Sequence, residues 1–301
     1  MIKSQVTLKQ LEAFVAVVDS GTFRRAARDL GTTQPNISAR IAALEQTLDT
    51  VLMHRDAASL RLTERGETLL AAARDVLWSA EQFLEKAKRQ DLVAERLRLG
   101  VTELVACTWL HDFLRAFKAD YPKVRVELEV DLSREIEKGL NARQIDLALQ
   151  TGPFQQEMSG SLALGSYRYG WVAQPQLAAK LAPSGAFESL FDHPILTHGR
   201  HTITSAALSE TATERGLPTQ QIMHSSSLSS CLRMAEDGMG IAMLPEVMTA
   251  PLVRAGSLVP IDCGWAPQPL EFFARYDAAT MPRFVHHAAA LAKDVSAGAR
   301  V

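Results

Sequence analysis

The 301-residue chain lacks most of the features that mark membrane, secreted or cofactor-binding proteins. No stretch approaches about eighteen consecutive apolar residues, which excludes an obvious membrane-spanning helix. The first residues, MIKSQVTLKQ, have no apolar core of a secretory signal. Three cysteines, Cys107, Cys231 and Cys263, lie far apart without a paired spacing. These absences predict a cytoplasmic protein with reduced, mostly buried thiols and no cofactor.

Charge is only weakly segregated along the chain. Residues 1–89 hold 13 Lys and Arg against 11 Asp and Glu, and the remainder holds 19 against 23. A basic excess at one end is compatible with nucleic-acid binding, but this excess is too small to predict it. Whether the chain binds nucleic acid therefore has to be judged from its motifs.

The stretch AARDLGTTQPNISARIAALE, from Ala26, contains two helical patterns separated by a short break. Gly31 suits a left-handed turn, Thr33 can cap the second helix, and Pro35 is tolerated in a first helical turn. The second pattern turns one apolar face inward at Ile37, Ile41 and Leu44. The pattern predicts a helix-turn-helix.

Short polar side chains at the start of the second helix can reach base edges in a major groove. An ordinary helical corner with solvated polar residues is the alternative. The neighbouring arginines favour DNA, because Arg24, Arg25 and Arg28 precede the motif and Arg55 and Arg61 flank a hairpin that could act as a wing.

A long helix is predicted from Thr63, as N-cap, to about Gln90. Its apolar positions recur at alternating steps of four and three, which is a heptad pattern: Leu69, Ala73, Val76, Ala80, Phe83 and Ala87. Pairing with the same helix of a second subunit is the favoured interpretation, and packing within one chain is the alternative.

Beyond residue 91 the pattern changes to alternating strands and helices, which predicts a mostly parallel sheet followed by a second α/β series. The predicted division is a DNA-binding domain over 1–62, a linker helix over 63–90 and an α/β domain over 91–301. The last has a cleft between one subdomain of about 92–165 plus 268–301 and another of about 166–267.

The stretch LEAFVAVVDSGTFRRAARDLGTTQPNISARIAALEQTL, followed by LRLTERGETLLAAARDVL, closely resembles the winged helix-turn-helix and linker helix of LysR-type transcriptional regulators. The remainder is similar to that family's effector domain, which has a type 2 periplasmic-binding-protein fold, down to GMGIAMLP near residue 240. The resemblance implies an α/β multidomain fold with a winged helix-turn-helix, a dimerisation helix and a two-subdomain effector-binding domain.

The resemblance also implies partners. These are double-stranded promoter DNA, a small-molecule effector and further copies of the chain as dimer and tetramer, with RNA polymerase as a further candidate and no membrane. Thr33, Gln34, Pro35 and Ser38 match the family's DNA-reading positions. The full set of expected DNA-contacting residues is Arg24, Arg25, Thr33, Gln34, Pro35, Asn36, Ser38, Arg40, Arg55 and Arg61.

Hydroxyl residues that follow strands and open helices are the candidates for effector binding, since helix N-termini attract carboxylates. Simple helix capping is the alternative for each of them. A carboxylate at Glu103 would repel an anionic ligand unless it pairs with a ligand amine or a nearby Arg. The expected effector site comprises Thr102, Glu103, Ser133, Thr151, Gly152, His198, His201, Ser225, Ser226 and Ser227.

The pair His198 and His201, in the sequence HGRH, invites a metal interpretation, but no third ligand stands at a suitable spacing. A loop at the cleft mouth is the favoured interpretation. No nucleophile elbow or carboxylate pair is recognisable, so an enzyme is not expected. The sequence predicts a regulator that responds to a small organic acid or amino-acid-like compound. The alternative is a binding protein of the same architecture with weak or non-regulatory DNA binding.

Overall fold

The computed structural model describes residues 6–56, 59–87, 96–181, 186–279 and 281–298. The chain divides into two compact units, Met1–Glu95 and Arg96–Val301. None of the described helices is long and apolar enough to cross a membrane.

The first unit consists of three short helices, a hairpin and a long helix. Its elements are α1 (Leu8–Ser20), α2 (Phe23–Asp29), α3 (Gln34–Leu48), β1 (Met53–Asp56), β2 (Ser59–Leu62) and α4 (Glu64–Lys86). Gly31 lies between α2 and α3 with φ of 59°, the left-handed conformation that the turn requires. The predicted winged helix-turn-helix is confirmed.

The apolar core of this unit includes the face of α3 that the sequence predicts. Ile37 and Ile41 are fully buried, and Ala26 and Ala27 of α2 allow close approach of the two helices. The Nη2 atom of Arg74 in α4 lies 2.5 Å from Oδ1 of Asp19 at the end of α1, so a buried guanidinium fixes the long helix to the rest of the unit.

The long helix α4 begins directly after Thr63, the predicted N-cap. Oγ1 of Thr63 accepts a hydrogen bond of 2.9 Å from the Gly66 backbone and itself donates to the Val51 carbonyl. The helix ends at Lys86, and residues 88–90 of the predicted continuation lie outside the described residues.

The second unit contains two five-stranded mixed sheets. The first sheet has the order β4–β3–β5–β12–β6 and the second β11–β7–β10–β8–β9. The strands are β3 (Arg96–Val101), β4 (Arg125–Val130), β5 (Leu147–Thr151), β6 (Gly160–Tyr167), β7 (Tyr169–Ala173), β8 (Ile195–His198), β9 (Ile222–Ser225), β10 (Ile241–Pro245), β11 (Val259–Ile261) and β12 (Leu270–Tyr276).

Helices connect these strands and cover the sheets. They are α5 (Glu103–Cys107), α6 (Leu110–Asp120), α7 (Ser133–Asn141), α8 (Pro175–Ala178), α9 (Ile203–Glu214), α10 (Leu228–Glu236), α11 (Glu246–Arg254) and α12 (Arg283–Gly298). Short 3₁₀ helices occupy Phe187–Asp192 and Thr219–Gln221. The chain passes from the first sheet to the second after Tyr167 and returns between Ile261 and Leu270. We call the parts built on these sheets the first and second subdomains.

Each sheet is mostly parallel in strand direction and contains one reversed strand. In the first sheet β4, β3, β5 and β6 run in one direction, and β12 runs against them between β5 and β6. In the second sheet β9, β8, β10 and β11 run in one direction, and β7 runs against them between β10 and β11. The reversed strand is the first one after each crossing, because it enters its sheet without the helical crossover that parallel neighbours need.

We expect Gly66→Ala to destabilise the first unit. A Cβ at this position would overlap the Leu52 carbonyl oxygen, which is backbone and cannot rotate away. Overpacking of this kind costs about 1–3 kcal/mol, against a gain of about 1 kcal/mol in helix propensity. Denaturant unfolding checks the sign. Gly298→Ala, in α12 with open space around the site, is the control and should be neutral or stabilising; equal effects would contradict the packing argument.

Candidate functional site

The N-terminal turn of α3 presents exposed polar groups above a buried apolar face. Thr33, Gln34, Pro35 and Asn36 are all exposed. The Thr33 side chain makes no capping bond in the structure, although the sequence makes it a candidate cap. Pro35 lies in the first turn, as predicted. These residues form an exposed surface that can contact a DNA groove without a change in the fold of the unit.

The other expected DNA contacts surround this turn. Asn36 donates from Nδ2 to Oγ1 of Thr32 at 3.2 Å, which orients its amide. Ser38 and Arg40 are half-buried. The remaining arginines lie on α2 and the hairpin: Arg24, Arg25 and Arg61 are exposed, and the Arg55 side chain lies outside the described residues.

Two faces of the long helix α4 have different environments. Ala73 is 4% exposed and packs into the core of its own unit, and Leu69 packs against that core. Val76 is 48% exposed and Phe83 is 72% exposed. The expected seam therefore needs correction at Leu69 and Ala73, because the first unit itself covers the start of the helix.

Beyond Ala73, the long helix has a strip of apolar residues that its own unit does not fully cover. Ala80 is half-buried, Ala87 is exposed, and both lie at helical spacing from Val76 and Phe83. An exposed phenylalanine on a helix of 23 residues is a surface that a second helix can cover.

In the second unit, a carboxylate occupies the N-terminus of α10. Glu103 of the first subdomain accepts hydrogen bonds from the Leu228 backbone at 2.6 Å and the Ser229 backbone at 3.2 Å. The hydroxyls of Ser227 and Ser229 also donate to its Oε1, at 2.9 and 3.2 Å. The helix end thus binds a carboxylate from the same chain.

The other N–H groups at this helix end are also satisfied. Ser227 accepts from the Ser230 backbone at 3.1 Å, and its own N–H donates to Oγ of Ser225 at 3.1 Å. A helix leaves four N–H groups without internal partners. Here Glu103 and two serines pair all four, so a ligand carboxylate finds no donor at this end.

His198, the last residue of β8, lies beside the same carboxylate. Its Nε2 is 3.6 Å from Oε2 of Glu103 and has no hydrogen-bond partner among the described residues. Burial lowers the pKa of His198, and the Glu103 carboxylate and a hydrogen bond to the Ser226 backbone oppose that shift only in part.

Two hydroxyl residues and a tyrosine complete this polar cluster. Oγ1 of Thr102 is buried without a partner among the described residues. Burial raises the pKa of Tyr169, a hydrogen bond from Thr204 lowers it, and the charge of Glu103 raises it further. We call Thr102, Glu103, Tyr169, His198 and Thr204 the Glu103 cluster. It joins the two subdomains.

An apolar cavity of about 340 Å³ also lies between the subdomains. Thr151 and Phe273 line it from the first subdomain, and Ile203 and Ala207 line it from α9. Thr102 and Thr151 follow or end the neighbouring parallel strands β3 and β5, so the cluster and the cavity share one edge of the first sheet. Gly152 is part of the same lining.

The remaining expected effector residues differ in their environments. Ser133 is half-buried, and its Oγ accepts a hydrogen bond of 3.1 Å from the Thr151 backbone. Ser226 and His201 are exposed. His198 requires correction, because it is buried at a strand end and does not belong to a loop at the mouth.

Ser225 and Ser227 also require correction, since their hydroxyls are used to cap α10. Tyr169 and Thr204 were not identified from the sequence, because neither residue belongs to a recognisable motif. Among the described residues no group of three or more His, Cys, Asp or Glu could hold a metal ion.

The comparisons with known proteins assign the family. The family model described as "Bacterial regulatory helix-turn-helix protein, lysR family" matches residues 8–67, and "LysR substrate binding domain" matches residues 90–296. The chain therefore belongs to the LysR family of transcriptional regulators, and the α/β unit is its effector-binding domain. The regulators of this family bind DNA and small molecules and form oligomers.

One relative and two solved structures illustrate the similarity. A probable RuBisCO transcriptional regulator of Emiliania huxleyi is 26% identical over 79% of this chain and 78% of its own length. The crystal structure of ArgP from Mycobacterium tuberculosis has a TM-score of 0.73 at 21% identity, covering 96% of this chain and 97% of its own. Full-length LysG from Corynebacterium glutamicum with bound effector Arg has a TM-score of 0.60 at 20% identity, covering 97% and 98%.

We expect the stabilising effect of His198 to decline as the pH falls. The unfolded imidazole titrates near its usual pKa of about 6.5, whereas burial lowers the pKa in the folded chain. The unfolded state then binds more protons, so the free energy of unfolding falls as the pH drops below about 6.5. Urea unfolding of wild type and His198→Asn between neutral and acidic pH measures the difference. His111→Asn, on an exposed surface, is the control; a wild-type advantage that grows with acidity would contradict the assignment.

Proposed function

We propose that the protein binds a specific promoter DNA sequence through α3 and that a small molecule between the two subdomains modulates this binding. The observation that carries the proposal is the exposed polar turn at Thr33–Asn36, held by a fully buried face at Ile37 and Ile41. A helix fixed in this way can enter a major groove with its base-reading atoms already placed. A dimer through α4 would read a two-fold-related site, and a tetramer through the effector domains would follow.

The effector is a small organic acid or an amino-acid-like compound. The amino-acid-like compound is favoured, because Glu103 pairs with the end of α10 that would otherwise attract an acid. LysG, which shares this fold, carries a bound Arg as effector. The proposed ligand lies among Thr102, Thr151, Gly152 and His198. The alternative, a binding protein with weak or non-regulatory DNA affinity, is an outcome of the test below.

We expect Gln34→Ala and Ser38→Ala to weaken binding to the preferred sequence by about 1–3 kcal/mol each and to broaden sequence preference. Arg61→Ala should weaken binding to all sequences about equally and lower the dependence on salt, because a phosphate contact releases counterions. Selection of binding sites from random DNA, followed by fluorescence anisotropy at several salt concentrations, measures both effects.

Gln46→Ala is the matched control, because Gln46 is an exposed glutamine near the other end of α3. It should leave affinity and preference unchanged. If selection yields no preferred sequence, the regulator proposal is wrong and the alternative binding protein is supported. If Gln34→Ala and Gln46→Ala behave alike, the assignment of the reading turn is wrong.

We expect Phe83→Glu to dissociate dimers and abolish binding to two-fold-related DNA, because a charge in a helix–helix seam is desolvated without a partner. Ala80→Glu should act in the same direction with a smaller effect, since Ala80 offers less apolar surface. Analytical ultracentrifugation measures the mass. Ala71→Glu, an exposed position on another face of α4, should leave the dimer intact; an unchanged mass for Phe83→Glu would exclude this seam.

A further inference from the structure

The charge and hydrogen-bonding capacity of the Glu103 cluster point to one class of ligand group. In the cluster, Nε2 of His198 and Oε2 of Glu103 lie 3.6 Å from each other, which is beyond hydrogen-bond distance. Nε2 is buried without a hydrogen-bond partner among the described residues, and in a neutral imidazole with its proton on Nδ1 this atom is an acceptor. Buried polar atoms without partners are rare, and a single N–H group placed between these two would satisfy both.

The cluster also disfavours a carboxylate. The four N–H groups at the end of α10 are paired within the chain, so the usual anion site is filled by Glu103. Thr102, next to Glu103 in the chain, has a buried hydroxyl without a partner among the described residues, and this oxygen can accept a hydrogen bond as well as donate one. Burial lowers the pKa of His198, which disfavours the charged imidazolium beside Glu103.

We propose that Glu103 is a specificity-determining residue: with His198 and Thr102 it binds the ammonium group of an amine ligand, and by filling the α10 N-terminus it excludes ligands that would bind there through a carboxylate. The inference rests on the proposed function, since the ligand is the effector of that cleft. The body of the ligand lies toward the apolar cavity lined by Ile203 and Phe273, which shares the same sheet edge.

The test uses probes that share a skeleton and differ in charge. Benzylamine and benzoate form one pair, and hexylamine and hexanoate form another. Isothermal titration calorimetry on the full-length protein should show that wild type binds the amine of at least one pair at least tenfold more tightly than the matching acid. Glu103→Gln, which keeps the shape of the side chain, should lose that preference by at least tenfold.

The variant Glu103→Ala tests whether Glu103 excludes carboxylates from the N-terminus of α10. Removal of the carboxylate leaves the Leu228 and Ser229 N–H groups without their partner, so benzoate or hexanoate should bind at least tenfold more tightly than to wild type. A merely structural role of Glu103 would weaken binding of all probes together. Glu188→Gln, an exposed carboxylate of the same domain paired with Arg215, is the control and should behave as wild type.

The outcomes separate this inference from the proposed function. If wild type shows no amine preference in either pair, or if Glu103→Gln keeps the preference, the inference is wrong. If Glu103→Gln loses the preference but Glu103→Ala gains no affinity for acids, the exclusion of carboxylates at α10 is wrong. Sequence-specific DNA binding is measured on the same wild-type samples, and its absence would overturn the proposed function independently.

Discussion

The hydrogen bonds between Glu103 and the first turn of α10 are the constraint on which the effector domain depends. Glu103 and Ser227 are separated by 124 residues and belong to different subdomains, so this contact is a polar link that fixes the first turn of α10 to the first subdomain. The carboxylate side chain is only 19% exposed, and bonds of this kind to a charged group contribute more than neutral ones. A ligand in the cleft therefore meets an α10 N-terminus that is already paired with the Glu103 carboxylate.

The sequence was most informative where structure is local. The turn at Gly31, the buried positions Ile37, Ile41 and Leu44, and the start of α4 at Thr63 all follow from spacing and capping within a few residues. The serines before α10 were equally visible as possible caps. What spacing could not supply was the partner of that helix end, because Glu103 reaches it only after the whole domain has folded. The sequence did identify Glu103 as unfavourable for an anionic ligand.

Long-range placement accounts for the remaining differences. Ala73 fits a heptad, but periodicity does not tell whether its own unit or a second subunit covers it. Between β3 and β4 the chain forms two helices, α5 and α6, and the buried Trp109 between them donates from Nε1 to the Tyr167 hydroxyl at 2.8 Å. Strand β6, whose sequence GSLALGSY has weak alternation, becomes a strand because β12 pairs with it.

The position of β12 also fixes the order in which the effector domain can form during synthesis. Strand β12 lies between β5 and β6 in the first sheet, yet it follows the entire second subdomain along the chain. The second sheet is built from the continuous stretch β7 to β11 and can close as soon as that stretch leaves the ribosome. The first sheet must wait for the last strand, so β5 and β6 keep unpaired edges through translation of about a hundred further residues, at roughly 5–20 residues per second. Such edges are templates for aggregation, so the nascent first subdomain is exposed to edge-to-edge pairing with other chains until β12 has been made.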